Sequence, residues 1–228
     1  LKTMRVHKGN IVIEKKGIYA VENYIISRRL MYMQVYLHKT VLGADALLRN
    51  IFKRVRHLID AGVELPFAST SLQYFLVEQP SAKKRLSSKM IEEYSQLDDH
   101  DVYLCIKLWT QYNDKILSDL CKRFLNRSLF RTTFFDKAPT EEVKAKVNAK
   151  TKAALKKLRL PYGDESLQYY FSFDQSYTEA YKYQNESIWI MEDDVAVEFS
   201  KAADTKNIIA LTEPVVKHYC VHLKEIKM

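Results

Sequence analysis

A chain of 228 residues, 47% of them hydrophobic and 28% charged, can bury a real core and reads as soluble and globular. Five glycines and five prolines favour helices over a turn-rich sandwich. The net charge of +8 arises in Leu1–Asp60, where twelve Lys/Arg face four Asp/Glu; a basic field there favours an anionic partner, nucleotides or nucleic acid. The three cysteines, Cys105, Cys121 and Cys220, are widely spaced and form no CxxC pair, which argues against a zinc site or a disulfide framework. With no secretory start and no apolar run long enough to span a bilayer, the setting to expect is reducing and cytoplasmic, away from membranes. The sequence opens on Leu1 and runs straight into a patterned segment, which reads as part of a longer protein.

Met4–Glu14 reads as a hairpin, with β-branched residues flanking Lys8-Gly9-Asn10. Gly17–Lys39 has no internal Gly or Pro and predicts one long helix. Ile18, Val21, Ile25 and the Met31–Val35 region form its apolar stripe. Arg28, Tyr32 and Tyr36, four residues apart, stand one above another on a second face, with His38 and Lys39 at the end. A guanidinium, two phenols, an imidazole and an ammonium can hold a polyphosphate and a sugar or base, although the pattern alone favours a basic, partly buried helix with solvated charges. A second helix is predicted over Thr40–Ala61, with Leu42, Ala46, Leu47, Phe52 and Val55 inward, Arg49, Lys53, Arg54 and Arg56 outward, and Gly62 as C-terminal cap.

Pro66–Gln79 holds a possible helical turn, and Pro80–Ser88 is a basic connector. A helical block starts at Met90–Leu97. Asp98 or Asp99 caps a helix over Val102–Tyr112, and Asn113–Leu125 continues helical before a Thr/Phe-rich strand. Thr140–Lys157 is a polar surface helix with Glu at its start and Lys at its end. Tyr169–Phe173, Ile188–Met191 and Val215–His222 read as strands, with Glu192-Asp193-Asp194 as a hairpin turn. The fold class is mainly α with a smaller α+β C-terminal part, divided as a helical lobe over 1–137 and a mixed subdomain over 138–228.

Other constellations carry little chemistry. His100-Asp101 lacks further ligands within reach, and helix capping accounts for its aspartates. His218 and His222 share a face of a strand but stand too far apart for one ion. Glu192-Asp193-Asp194 is explained by the turn. No GxSxG elbow and no glycine-rich phosphate loop is present, so phosphate binding must come from Arg, Lys and His side chains.

As a block, ENYIISRRLMYMQVYLHKTVLGADALL with the later NRSLFR resembles the HD-domain phosphohydrolases, in their deoxynucleoside-triphosphate triphosphohydrolase (dGTPase-like) branch. The resemblance rests on Arg28, Tyr36, His38 and Lys39 as Arg…Tyr-x-His-Lys and covers most of Gly17–Arg131, including the family's later helices at Leu97–Arg131. It implies an HD-like helical lobe and a divalent-metal centre built from a His…His-Asp…Asp set. It also implies release of triphosphate from a dNTP, a possible nucleotide activator and a homo-oligomer. By this resemblance Arg28 contacts phosphate and Tyr36 packs against the sugar. His38 and Lys39 lie where substrate and regulatory nucleotide sites approach each other, and Lys39 with Arg127, of the Arg-x-Leu-Phe segment, serves the regulatory nucleotide.

Two departures qualify it. No residue of this sequence matches the metal ligands, so the chain is expected to be the C-terminal half of such a protein and inactive alone. Leu37 replaces the Gln that follows the sugar-packing Tyr in some branches, which bears on base selectivity. The alternative is a nucleotide- or nucleic-acid-binding or oligomerisation module without catalysis.

Overall fold

The structure is a computed structural model that describes residues 2–64, 67–78, 86–178, 181, 187–203 and 214–227. Most of the basic connector expected at Pro80–Ser88 lies outside them. The described chain is mainly helical with two small sheets, as the composition predicts. It forms two compact units, each discontinuous in sequence: Leu1–His38 with Gln175–His218, and Lys39–Asp174 with Tyr219–Met228. A boundary at 137/138 falls inside the second unit. The helix beyond it buries Val147, Thr151 and Leu155 and so belongs to that unit's core.

In the first unit, β1 (Met4–His7) and β2 (Asn10–Glu14) form the expected antiparallel hairpin. Its turn takes positive φ at Lys8 (48°) and Gly9 (79°), matching the twist of the strands. One turn of 3-10 helix leads into α1 (Ile18–Met31), followed by a π-helical turn at Tyr32–Tyr36. The single helix expected over Gly17–Lys39 therefore ends early. The Met31–Val35 region does not extend its apolar stripe, because Met31 and Val35 are exposed. Later in the chain this unit adds β5 (Trp189–Glu192), β6 (Val195–Glu198) and α9 (Phe199–Ala202). The sheet runs β1-β2-β5-β6, with β2 and β5 parallel and Asp193-Asp194 turning β5 into β6. Ile18, Val21 and Ile25 pack with Ile190, Phe199 and Tyr181 to make this unit's core. Tyr181 is anchored there, its hydroxyl donating to Glu198 Oε1 at 2.5 Å and accepting from the Ile188 N–H at 2.8 Å.

The second unit is organised around α2 (Lys39–Asp60), whose Leu42, Ala46, Leu47, Ile51, Val55 and Leu58 are buried at helical spacing. Gly62, at φ +72°, ends it as expected: the Val63 N–H reaches back to the Leu58 carbonyl at 3.0 Å, closing the helix end. α3 (Thr70–Glu78) and α6 (Lys115–Leu125) pack on α2, α4 (Ser88–Gln96) packs on α3, and α5 (Asp99–Trp109) packs on α6. Ile116, Leu117, Leu120 and Cys121 of α6 face inward, and Cys105, Ile106 and Trp109 of α5 are buried with them. β3 (Arg131–Phe135), α7 (Glu141–Lys157) and α8 (Asp164–Leu167) complete the helical part. A three-stranded sheet runs β3-β7-β4; of β4 (Phe171–Thr178) and β7 (Val215–His222), the parts Phe171–Asp174 and Tyr219–His222 belong to this unit. All three cysteines are buried and free.

The cations expected on the outer face of α2 are mostly used within the fold. Arg54 forms a two-bond ion pair with Asp114 (3.0 and 2.6 Å), and Arg56 donates to the Phe75 carbonyl at 3.0 Å. Arg49 bridges Asp45 and Asp174. Arg54 has so little exposed side chain (16%) because Asp114 supplies both its counter-charge and its hydrogen-bond acceptors. The basic excess of the first quarter is therefore smaller at the surface than the sequence suggests.

Candidate functional site

Lys39 and Thr40 open α2, where the first N–H groups of a helix lack intrahelical partners and favour anions. The Thr132 hydroxyl donates to the Lys39 carbonyl at 2.9 Å, fixing β3 beside this helix end. One turn further, a Cβ on Gly43 would lie 2.2 Å from the Phe130 carbonyl oxygen. Only glycine lets the α2 backbone approach the 127–130 segment so closely.

That segment begins at the end of α6. The Ser128 N–H donates to the Arg123 carbonyl at 2.8 Å, and Arg127 takes φ +53°. This is the left-handed position that closes a helix, where glycine is favoured and an L side chain costs roughly 1–2 kcal/mol. An exposed arginine occupies it. Such local strain is commonly kept where a side chain serves a site.

Lys39, Arg127, Arg131 and Lys224 line one pocket of about 240 Å³, with Thr40 and Thr132 and with no acidic residue in its wall. Beside Lys224 in sequence, Glu225 accepts from the buried Arg123 at 2.9 Å, and Arg123 also donates to Asp119 at 2.8 Å. Burial would lower the Arg123 pKa, but the two carboxylates outweigh it and hold the group above its ordinary value. The Lys39 ammonium also lies 5.9 Å from the Phe134 ring centroid. Four cations with two hydroxyl-bearing side chains and a helix start suit a phosphate chain.

The other candidate residues stand in the first unit. The Arg28 guanidinium lies 5.4 Å from the Tyr32 centroid, and the Tyr32 and Tyr36 rings are 5.1 Å apart. The predicted Arg28–Tyr32–Tyr36 ladder thus survives the π-helical turn. His38 is exposed in the break between α1 and α2, its N–H donating to the Val35 carbonyl at 3.2 Å. Lys39 and Arg127 are brought to one pocket, whereas Arg28, Tyr36 and His38 belong to the other unit. Arg131 and Lys224 were not signalled by the sequence: they join Lys39 only through β3 and the segment after β7.

Asp98 caps α5, accepting from the His100 and Asp101 N–H groups while Asp101 accepts from the Asp98 N–H, a complete capping box. His222 is buried and bonded to the Thr133 hydroxyl at 3.0 Å and the Leu223 carbonyl at 2.9 Å. Among the described residues no group of three or more His, Cys, Asp or Glu could hold a metal. HD-type phosphohydrolases generally use divalent metals, and the described residues of this chain do not fit one. Among the described residues no helix is long and apolar enough to cross a membrane.

Residues 1–64 match the family model described as "HD associated region". A crystal structure of a phosphohydrolase from Bacteroides thetaiotaomicron is similar, with TM-score 0.83 and 31% identity, over 97% of this chain and 54% of that one. An uncharacterized Bacillus subtilis protein, YwfO, is 35% identical over 145 residues, 64% of this chain and 31% of its own length. A hypothetical protein from Aquifex aeolicus shares the fold, with TM-score 0.53 and 19% identity, over 98% of this chain and 47% of that one. The chain thus spans about half the length of these solved structures and less than a third of the curated relative. The likenesses support an HD-domain phosphohydrolase-like protein.

Proposed function

We propose that this chain is the nucleotide-binding part of an HD-type phosphohydrolase of the dNTP triphosphohydrolase branch. The pocket of Lys39, Arg127, Arg131 and Lys224 takes the phosphate chain of a nucleotide, in a regulatory role, while Arg28 and Tyr36 contact the phosphate and sugar of the substrate. The observation that carries this reading is the acid-free pocket wall with an arginine kept at a strained helix-end position. The metal ligands lie in the additional length by which the similar proteins exceed this chain. The chain alone then binds nucleotide without hydrolysing it, and the longer protein assembles as a homo-oligomer.

Within the pocket the cations neutralise phosphate oxygens and the Thr40 and Thr132 hydroxyl positions lie along the wall. The test has two arms. Titration of the chain with a deoxynucleoside triphosphate should give saturable binding that Lys39→Ala weakens; absence of binding sinks the pocket assignment. The longer protein, assayed with Mg²⁺ or Mn²⁺ over a panel of dNTPs and activators, should release triphosphate. Silence under every combination rejects the triphosphohydrolase reading.

A further inference from the structure

We propose that α7 and the C-terminal segment form a binding face for single-stranded nucleic acid, separate from the nucleotide pocket. From Lys144 to Arg159 the sequence holds seven Lys/Arg and no Asp or Glu. α7 buries Val147, Thr151 and Leu155 on one side, leaving Lys146, Lys152, Lys156 and Lys157 exposed. Lys146, Lys150, Ala153 and Lys157 follow one row at helical spacing. The helical rise sets Lys146 and Lys150 about 6 Å apart along the axis, the scale of neighbouring phosphates on an extended strand. Alanine between the lysines lets a backbone come close.

Beside this row lies a pocket of about 660 Å³. Ala153, Ala154, Leu158 and Ile226 supply apolar surface, and Lys150, Lys157 and Lys227 supply charge. Lys150 Nζ donates to the Lys227 carbonyl at 2.6 Å, joining helix and C-terminal segment. The one acidic residue in the wall, Glu225, is already paired with Arg123 at 2.9 Å. An apolar floor beside ammonium groups fits an unstacked base whose phosphates lie along the lysine row. A duplex keeps its bases stacked and leaves such a pocket empty. A membrane-surface helix would carry large apolar residues between its lysines, where α7 carries alanines.

Arg159 adds an independent sign. It takes φ +58° just past α7, where the Leu160 N–H donates to the Leu155 carbonyl at 3.0 Å. As at Arg127, a glycine position holds an arginine.

The test is fluorescence anisotropy of a short labelled homopolymer strand with the 228-residue chain over a salt series. Three to four phosphate contacts should give a slope of log K against log salt of about −2 to −3. The triple variant Lys146→Gln, Lys150→Gln, Lys157→Gln should bind at least about tenfold more weakly, given the salt-dependent phosphate contacts removed. Arg159→Gly should bind more weakly while melting no earlier than wild type, which separates binding from folding. A duplex of equal length should bind less tightly. No binding at low salt, a flat salt dependence, or variants equal to wild type overturns the proposal. So does a stronger preference for phosphatidylglycerol vesicles that the same variants abolish.

Discussion

The second compact unit holds two cationic regions built in opposite ways. α7 strings its cations along one helix, so adjacent residues in sequence make the surface. The pocket at the start of α2 gathers Lys39, Arg127, Arg131 and Lys224 from three distant stretches, and its charge exists only in the folded chain. The difference teaches that net charge by segment is a poor map of where anions are met. The arginines counted on α2 are largely consumed in ion pairs, while the segment after Asp60, neutral in sum, contains the more concentrated surface.

If the pocket depends on folding and α7 on composition, structural damage should separate them. The largest effect is expected from Asp114→Ala. Asp114 accepts both Arg54 bonds and the Leu117 N–H, linking α2 to the start of α6. Losing these charge-assisted bonds together with the helix cap costs about 2–5 kcal/mol, read as a lower denaturation midpoint. Burial would raise the Asp114 pKa, but Arg54 and the helix N–H groups outweigh it and hold it below the ordinary carboxylate range. Its stabilisation is therefore complete above the unfolded value near 4 and fades as pH falls through the lower folded value.

Gly43→Ala comes next. Its Cβ has no room against the Phe130 carbonyl, so the 127–130 segment must shift. Overpacking of this kind costs about 1–3 kcal/mol. Nucleotide titration should weaken, whereas oligonucleotide binding through α7 should persist; equal loss of both would merge the two regions into one.

A smaller effect follows from His222. Burial holds its pKa below the ordinary imidazole value, with help from the Arg131 and Lys150 charges against the Leu223 carbonyl bond. The unfolded chain takes up this proton below about pH 6.5, before the folded chain does, so stability falls as pH drops through that window. Melting temperature against pH should show this slope, and His222→Gln should flatten it.

What the sequence made legible was local. The Lys8-Gly9 turn, the Asp98 cap, the Asp193-Asp194 turn and the Gly62 stop are each decided by residues within a few positions, and each is present. What escaped was set by tertiary packing. The π-helical turn at Tyr32–Tyr36 interrupts a stretch with uninterrupted helical periodicity. Arg54 and Arg56 look solvent-facing by spacing but find acceptors on α6 and α3. The discontinuous units arise because the chain returns to the first unit at Gln175 and to the second at Tyr219. For the site, Lys39 and Arg127 could be named from a resemblance, but Arg131 and Lys224 have no local pattern that distinguishes them from other surface cations.

The central claim is that the α2 pocket binds nucleotide phosphate and that Arg127 is kept at a strained position for it. Arg127→Gly tests both parts in one variant, through calorimetric titration with a deoxynucleoside triphosphate beside thermal melting. The account predicts a loss of at least about tenfold in affinity, since a charge-assisted bond contributes roughly 1.5–3 kcal/mol. It also predicts an unchanged or higher melting temperature, as glycine relieves the left-handed strain. Equal affinity for wild type and Arg127→Gly would contradict it.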